Sequence, residues 1–497
     1  MAGGGMQIGS LIRRAALHFG DAPCLREGRR VLSFREFDAL TDRLGNALRD
    51  AGLVSGDRVG VLLPNGIDCL VAYYALAKAG LVRVSLNTRE TPEDHDYKLK
   101  DSGSRGVICG SALNFPDVEF SFDSEAISGM MASARNAPCA FDRTLDAPLR
   151  LGYTGGTTGK PKAVTLTTRG ELAELMAFLV DLVPDIGPSD VFLHAAPIAH
   201  ASGAFFLPAI VRGMQSIVMK KFDAAEFLEL AAATQATVTF LVPTMLAMIL
   251  EESGIDAADL KLRRIVYGAS PISPAVLHRA EQRFGRVFAQ TYGQAESPMV
   301  ITYLGPEHHD RIGSCGRPFT CVEVAIMNDE GEFLAPGQIG EVVCRGPQLM
   351  AYYWNRPEAT EAVFGGGWLH TGDIGRVDED GFYYLLDRKN DMLISGGYNV
   401  YPREVEEVLL AFEGVTEAAV IGLPDEKWGD RVHAVVAGRA NLDRAALLEF
   451  ARDRLASFKS PKSIDIWPEL PKSGANKILR RKVRDGVLAA QAEAAKS

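Results

Sequence analysis

A glycine- and threonine-rich segment at residues 153–162, Tyr-Thr-Gly-Gly-Thr-Thr-Gly-Lys-Pro-Lys, constrains this chain more than any other feature. Glycine lets the backbone approach an anion because no Cβ stands in the way. Threonine hydroxyls can donate hydrogen bonds to phosphate oxygens, and lysine adds a compact charge. The segment follows a strand-like run and includes a proline that cannot continue a helix. The sequence therefore predicts a loop that binds a polyphosphate.

This loop does not fit the Walker pattern, in which Gly, four residues and Gly-Lys-Ser/Thr follow one another. Aligning Gly-Lys on Gly159 and Lys160 places Thr154 at the first glycine and Pro161 at the Ser/Thr position. Pro161 also lacks the backbone N–H that would be needed there. A plain surface turn rich in Gly and Thr would have the same composition, so the interpretation depends on the rest of the chain.

Further motifs follow in a fixed order along the chain. They are the segments 197–200 (PIAH), 267–271 (YGASP), 291–296 (TYGQAE), 368–373 (WLHTGD), 387–391 (DRKND), 395–399 (SGGYN) and 471–477 (PKSGANK). Together with the loop, they resemble the signature motifs of the AMP-forming adenylating enzymes. That family includes acyl-CoA synthetases, aryl-CoA ligases, peptide-synthetase adenylation domains and luciferases. The agreement covers most of the chain, which makes coincidence negligible.

Length and composition limit the alternatives. A chain of 497 residues exceeds the usual size of one domain, so at least two domains are expected. The net charge of −10 argues against binding to nucleic acid. The seven scattered cysteines lack CxxC spacing and favour a reducing compartment over disulfides or zinc. No signal peptide or membrane-spanning stretch is recognisable, so we expect a cytoplasmic protein without an integral membrane segment. A homodimer is left open.

Alternating strand and helix patterns predict an α/β fold with parallel sheets. Ser33 and Glu36 have the spacing of a capping box at the start of one helix. We expect a large N-terminal domain, residues 1–388, with two doubly wound α/β subdomains and a small β-barrel. A hinge at 389–390 then precedes a smaller α/β domain at 391–497. The resemblance implies that this smaller domain is a mobile lid and that Asn390 is its hinge residue.

The resemblance also implies a site for ATP, Mg²⁺ and coenzyme A, with AMP as product. Glu296 would hold Mg²⁺, Asp373 would accept hydrogen bonds from both ribose hydroxyls, and Arg388 would support the sugar. The expected phosphate ligands are Thr154, Gly155, Gly156, Thr157, Thr158 and Lys162. The expected adenine-side residues are Gly268, Ala269, Ser270, Thr291, Tyr292 and Gly293.

Three residues are expected in the chemistry itself, and one of them is Glu296 through its metal. Lys477 would bridge the substrate carboxylate and the α-phosphate, and His200 would lie between the carboxylate and the CoA tunnel. Ser395, Gly396 and Gly397 resemble the hairpin that contacts the pantetheine arm. The chain departs from the family pattern at some positions: Gly155 replaces Ser, Ala163 replaces Gly, and Ala295 replaces Thr. These changes put only individual phosphate contacts in doubt.

The acyl pocket in this family would be formed here by small and apolar side chains. They are Ala201, Ser202, Gly203, Phe205, Tyr267 and Met299. A second substrate charge would be buried there without a partner, at high cost. We therefore expect a lipophilic monocarboxylate (fatty, aryl or alicyclic) as substrate of an acid:CoA ligase. An adenylating enzyme that loads a carrier protein and a catalytically inactive nucleotide-binding homologue are the alternatives.

Overall fold

The structure is a computed structural model. It describes residues 6–111, 115–139, 141, 143–154, 160–389, 391–395, 397–425, 428–439, 441–472 and 478–494. The first elements of the chain are α1 (Ile8–Phe19), β1 (Pro23–Glu27), β2 (Arg30–Ser33), α2 (Phe34–Asp50), β3 (Arg58–Leu62), α3 (Ile67–Ala79), β4 (Val82–Ser85), α4 (Pro92–Ser102), β5 (Gly106–Cys109), β6 (Phe120–Phe122), α5 (Ser124–Ser133) and β7 (Pro148–Tyr153).

A second α/β segment follows the predicted phosphate loop. Its elements are β8 (Ala163–Thr167), α6 (Thr168–Ala177), β9 (Val191–His194), α7 (Phe206–Arg212), β10 (Gln215–Val218), α8 (Ala224–Thr234), β11 (Val238–Leu241), α9 (Pro243–Leu250), β12 (Arg264–Gly268), α10 (Pro274–Phe284), β13 (Phe288–Gln294) and β14 (Ser297–Leu304).

The remaining elements are mostly strands until the chain enters its last part. They are β15 (Ser314–Pro318), β16 (Glu323–Met327), β17 (Gly340–Arg345), β18 (Tyr352–Tyr353), α11 (Pro357–Val363), β19 (Phe364–Gly365), β20 (Trp368–Val377), β21 (Tyr383–Arg388), β22 (Leu393–Ser395), β23 (Tyr398–Val400), α12 (Pro402–Leu410), β24 (Val415–Asp425), β25 (Gly429–Gly438), α13 (Arg444–Arg454), β26 (Ser463–Ile466) and α14 (Arg480–Ala494).

These strands form three sheets within the described residues. One sheet runs β18-β8-β7-β4-β3-β5-β6, with parallel pairing from β7 to β6. The largest sheet has parallel strands in the order β1-β10-β9-β11-β12-β13 and continues through antiparallel β14, β15, β21, β20, β17 and β16. That antiparallel part is the region predicted as a small barrel. The expected α/β class, with two doubly wound units, is confirmed.

The third sheet contains β22 to β26 and packs with α12, α13 and α14 around its own buried core. A large N-terminal domain and a smaller C-terminal one are therefore present, as predicted. The position of the hinge stays a prediction, because Asn390 lies outside the described residues. No described helix is long and apolar enough to cross a membrane.

Local sequence rules account for several boundaries. The Ser33 side chain accepts a hydrogen bond from the Glu36 N–H at 3.2 Å, and the Glu36 carboxylate accepts one from the Ser33 N–H at 2.8 Å. This predicted capping box starts α2. Gly80, with φ of 71°, ends α3 in the left-handed conformation that favours glycine.

The capping box can be tested by unfolding. We expect Ser33→Ala to lower the free energy of unfolding of the N-terminal domain by about 0.5–2 kcal/mol, because the Glu36 N–H loses its acceptor. Ser33→Gly, the matched control, should cost only a few tenths of a kcal/mol, because glycine leaves the Glu36 N–H open to water and adopts the N-cap conformation easily. Urea unfolding followed by circular dichroism measures both; equal losses would contradict a capping role.

Candidate active site

The two strands that flank the predicted phosphate loop bring its ends together. Strands β7 and β8 pair antiparallel, with Tyr153 opposite Ala163. The Thr154 N–H donates to the Lys162 carbonyl at 3.0 Å, and the Lys162 N–H donates to Thr154 Oγ1 at 3.3 Å. The two ends of the loop, Thr154 and Lys162, therefore lie side by side. The predicted phosphate ligands Gly155, Gly156, Thr157 and Thr158 lie outside the described residues.

Helix α4 braces both ends of this loop. The Tyr97 hydroxyl donates to the Pro161 carbonyl at 2.9 Å. The Tyr153 hydroxyl faces the Lys98 carbonyl at 2.9 Å and the Asp101 carboxylate at 3.1 Å. Burial and the nearby Asp101 charge raise the pKa of Tyr153, so its hydroxyl keeps the proton that it donates. Sequence reasoning missed these residues, because α4 lies far from the loop in the chain.

Tyr353 joins the predicted metal ligand to the predicted phosphate lysine. Its hydroxyl donates to Glu296 Oε1 at 2.5 Å, and the Lys162 Nζ lies 4.9 Å from the centre of its ring. The pairing of β18 with β8 places Tyr353 opposite Val164, directly after the phosphate loop. A cation this close to an aromatic ring is attracted to it. Tyr353 therefore contacts both Glu296 and Lys162, next to the end of the loop. Tyr353 lies in none of the sequence motifs.

The carboxylate chemistry here fits Mg²⁺. The described residues contain no cluster of three or more His, Cys, Asp or Glu that could hold a metal alone. Mg²⁺ is commonly bound by one or two carboxylates together with phosphate oxygens and water. Glu296 is half-buried and its second oxygen is not used by Tyr353. A single carboxylate beside a phosphate loop is the arrangement expected for a metal that arrives with the nucleotide.

Asp373, the predicted ribose ligand, is almost fully buried and held from three sides. The Tyr292 hydroxyl donates to Oδ2 at 2.6 Å, and Arg388 Nε lies 2.7 Å from Oδ1. The Asp373 N–H donates to Thr371 Oγ1 at 3.0 Å. Burial and the Asp373 charge raise the pKa of Tyr292 well above its usual value, so the phenol is a donor. The structure therefore brings the predicted residues Tyr292, Asp373 and Arg388 together.

The predicted adenine-side residues lie at the end of β12 and on the neighbouring strand β13, where the chain is crowded. A Cβ on Gly268 would lie 2.5 Å from the Thr291 carbonyl oxygen, so only glycine fits. A Cβ on Gly293 would lie 2.5 Å from the Met299 N. Ala269 and Met299 have φ of 68° and 57°, left-handed values that are rare for such residues. Ser270 follows this turn and is half-buried.

The predicted acyl-pocket residues differ in how much surface they present. Ala201, Gly203 and Met299 are half-buried, whereas Ser202, Phe205 and Tyr267 are buried. Ser202 Oγ lies 3.0 Å from His194 Nδ1. Burial lowers the pKa of His194 to about 3, so this histidine is neutral. The Tyr267 hydroxyl lies 3.2 Å from both Gln290 Oε1 and His309 Nε2.

The predicted pantetheine hairpin is formed by β22 and β23, where Ser395 pairs with Tyr398. Ser395 is buried, and Gly397 has φ of 83°, which favours glycine. Gly396 and the predicted catalytic Lys477 lie outside the described residues. Their roles stay predictions.

Arg480, three positions after Lys477, connects the two domains. Its guanidinium lies 3.0 Å from Asp387 Oδ1, 2.8 Å from Asp391 Oδ2 and 2.6 Å from Glu406 Oε2. Asp387 belongs to β21 of the large domain, and its other oxygen accepts the Arg403 N–H at 2.7 Å at the start of α12. Asp387 opens the motif at 387–391, and Arg480 follows the motif at 471–477. Nothing in the sequence indicated that these two side chains meet.

This geometry defines a class of protein. The two ends of the predicted phosphate loop lie next to a carboxylate suited to Mg²⁺, and a buried carboxylate suited to a ribose lies on β20. Comparison with known proteins agrees: residues 12–354 match the AMP-binding enzyme family, and residues 404–477 match the AMP-binding enzyme C-terminal domain.

Related proteins share nearly the whole chain. A medium/long-chain-fatty-acid–CoA ligase of Mycobacterium tuberculosis is 37% identical, over 90% of this chain and 84% of the relative. A feruloyl-CoA synthase of Amycolatopsis is 36% identical, over 96% of this chain and 98% of the relative. The solved o-succinylbenzoate CoA synthetase of Bacillus subtilis, in complex with its acyl-adenylate intermediate, is 31% identical with a TM-score of 0.88, covering 95% of this chain and 97% of that one.

The chain belongs to the AMP-binding enzyme family. The expected family, and with it the class of AMP-forming acid–thiol ligases, is confirmed. The assignment of individual residues to ATP, metal and acyl group is a separate matter and stays a proposal.

The proposed ribose contact has a direct test. We expect Asp373→Asn to weaken ATP and AMP binding about 10- to 100-fold, because hydrogen bonds to a charged group contribute about 1.5–3 kcal/mol. Tyr292→Phe is the control, since it removes one donor to Asp373 but keeps the charged acceptor, and its loss should be smaller. Isothermal titration calorimetry measures both dissociation constants; unchanged AMP affinity in a folded Asp373→Asn variant would contradict the ribose role.

Proposed function

We propose that this protein joins a lipophilic monocarboxylic acid to coenzyme A at the expense of ATP. In the first step a carboxylate oxygen attacks the α-phosphorus of ATP, which forms acyl-AMP and releases pyrophosphate. In the second step the CoA sulfur attacks the acyl carbonyl carbon and AMP leaves. The observation that carries the proposal is the convergence of Glu296, Lys162 and Tyr353 with Tyr292, Asp373 and Arg388 in a member of this family.

The first step needs charge neutralisation, because an anion must approach a highly charged triphosphate while charge builds on the pyrophosphate. Mg²⁺, when bound, supplies part of that neutralisation. In our proposal Thr154 and Lys162 contact the β- and γ-phosphates, and Glu296 holds the metal. Tyr353 contributes by keeping Glu296 and Lys162 at one place. Asp373 fixes the ribose, so the α-phosphorus is presented in one orientation.

Lys477 is proposed to supply the remaining positive charge at the α-phosphate. A cation placed where carboxylate and phosphate meet has its largest effect in the transition state. Arg480, which follows on the same segment, links the small domain to Asp387 of the large one. Because Lys477 belongs to the small domain, movement of that domain would carry Lys477 with it.

The acid is proposed to be lipophilic because the predicted pocket segments contain Ala201, Gly203 and Met299 and no basic residue. A second charge on the substrate would lack a partner there. Two relatives are named for medium and long fatty acids and for ferulate, which carry one carboxylate. A third is named for 2-succinylbenzoate, which carries two. The pocket residues of this chain favour the first two classes. We favour CoA as the thiol. A carrier-protein thiol is the second candidate, because a fatty acid–[acyl-carrier-protein] ligase of Streptomyces coeruleorubidus is 34% identical over 96% of this chain.

The proposal includes a cytoplasmic location, which the seven free cysteine thiols support. ATP and CoA, its proposed co-substrates, are small molecules. A homodimer stays a prediction that light scattering can check.

The substrate class can be tested with a panel of acids. Fatty, aryl and alicyclic acids are incubated with ATP, Mg²⁺ and CoA, and pyrophosphate and thioester are measured separately. We expect at least one lipophilic monocarboxylate to give both products in equal amounts, and malonate to give neither. Pyrophosphate without CoA thioester would favour the carrier-protein alternative, and turnover of malonate alone would contradict the pocket argument.

Lys477 has its own prediction. We expect Lys477→Ala to slow adenylate formation about 10²–10³-fold, on the scale of losing one transition-state donor. It should largely spare thioester formation from acyl-AMP supplied ready-made. Lys472→Ala is the matched control, because Lys472 lies on the same segment but pairs with Glu417 of the small domain. Stopped-flow measurement of both half-reactions decides; equal losses in the two would contradict the role.

A further inference from the structure

His200, the predicted residue between the acyl group and CoA, has one side-chain partner that the motifs do not include. Asn87 Nδ2 lies 2.9 Å from His200 Nε2. Asn87 is 6% exposed and follows the end of β4, whereas His200 follows β9 in the other parallel sheet. The contact therefore connects the carboxyl ends of two separate sheets.

The orientation of the Asn87 amide is determined by its other contact. The Arg89 N–H donates to Asn87 Oδ1 at 3.0 Å, so Oδ1 is the acceptor end of the amide. The Nδ2 end must then face His200, and an NH₂ group can only donate. Further contacts hold Asn87 itself: His95 Nε2 lies 2.8 Å from the Asn87 carbonyl oxygen, and the Asn87 N–H donates to Glu90 Oε2 at 3.4 Å.

A donor at Nε2 fixes the protonation of the imidazole. Nε2 must offer its lone pair, so in the neutral ring the proton lies on Nδ1. Protonating the ring would place an N–H of His200 against the NH₂ of Asn87. His200 as a residue is exposed, yet desolvation by the protein around its ring lowers its pKa. The charged groups that act on it are Glu90, which favours the cation, and Lys98 and Arg89, which oppose it.

We propose that Asn87 is a positioning residue that keeps His200 as a neutral imidazole with its proton on Nδ1. His200 then serves as a hydrogen-bond donor through Nδ1 and not as a general base through Nε2. The contact that this donor makes, with the acyl group or the thiol, rests on the proposed function. The tautomer and its dependence on Asn87 do not.

The wild-type enzyme itself provides the first test. Long-range ¹H–¹⁵N correlation spectra of ¹⁵N-histidine-labelled protein distinguish the two neutral tautomers, and His200→Ala identifies the signals. We expect a pyridine-like Nε2 and a pyrrole-like Nδ1 for His200 at neutral pH. A proton on Nε2, or an imidazolium at neutral pH, would overturn the proposal whatever acid the enzyme uses.

Asn87→Asp provides the second test, because it changes the donor into an acceptor with almost the same shape. One carboxylate oxygen can still accept the Arg89 N–H, and the other now favours a proton on Nε2. We expect the proton affinity of His200 to rise about tenfold or more, as a carboxylate within hydrogen-bond distance produces. An unchanged His200 titration in a folded Asn87→Asp protein would contradict the proposal.

Asn65→Ala is the matched control for loop support. Asn65 Nδ2 donates to the carbonyls of Ala196 and Met219 at 3.2 and 3.3 Å, and Oδ1 accepts the Ile198 N–H at 2.9 Å. It thus supports the backbone before His200 without contacting the ring. We expect Asn65→Ala to lower the melting temperature but to leave the His200 tautomer unchanged. A change of tautomer in both variants would reduce Asn87 to a structural role.

Kinetics add a readout that loss of stability alone would not produce. With ready-made acyl-AMP, we expect the thioester rate of Asn87→Asp to be low above the raised pKa of His200, where the proton lies on Nε2 and Nδ1 cannot donate. The rate should recover as the pH drops through that pKa, because the imidazolium again carries an N–H at Nδ1. The wild-type rate should show no such step in that range. If the enzyme activates no acid at all, the proposed function is wrong. The NMR spectra still show which nitrogen of His200 carries the proton, so the two proposals can fail separately.

Discussion

The buried carboxylate of Asp373 is the interaction on which the arrangement of the site depends. A carboxylate that is almost excluded from water must be paired and hydrogen-bonded, or its desolvation would be too costly. Tyr292 from β13 and Arg388 from β21 supply that pairing, and Asp373 itself lies on β20. One buried charge thus ties the end of the parallel part of the large sheet to its antiparallel part. The same strand, β21, then provides Asp387, which contacts Arg480 of the small domain.

The topology explains why distant motifs meet. In open α/β sheets, ligands bind outside the carboxyl ends of parallel strands. Thr154 follows β7 and Asn87 follows β4 in one sheet, whereas His200 follows β9 and Gly268 ends β12 in the other. The contact between Asn87 and His200 shows that these two edges face each other. Ala269 and Met299, with left-handed backbone, lie at the same edge, where strained conformations often accompany function.

The sequence alone predicted the local structure well, because its signals are local. The capping box of Ser33 and Glu36 appears where the pattern indicated. The family resemblance assigned Tyr292 to the adenine side and Asp373 to the ribose, and their direct contact comes from the structure. Tyr353, Asn87 and Tyr97 could not be found from the sequence, since each acts across a long stretch of chain. No sequence pattern predicts which distant residue an aromatic or amide side chain at a strand end will contact.

The central proposal is that this protein joins a carboxylate oxygen to the α-phosphorus of ATP. Isotope transfer tests it most directly, because the oxygen that attacks phosphorus remains on AMP after the thiol displaces it. A lipophilic acid labelled with ¹⁸O in its carboxylate is turned over with ATP, Mg²⁺ and CoA, and the nucleotide and phosphate products are examined by mass spectrometry. The account predicts AMP that carries one ¹⁸O atom and pyrophosphate that carries none. Label in inorganic phosphate, with ADP as the nucleotide product, would contradict it.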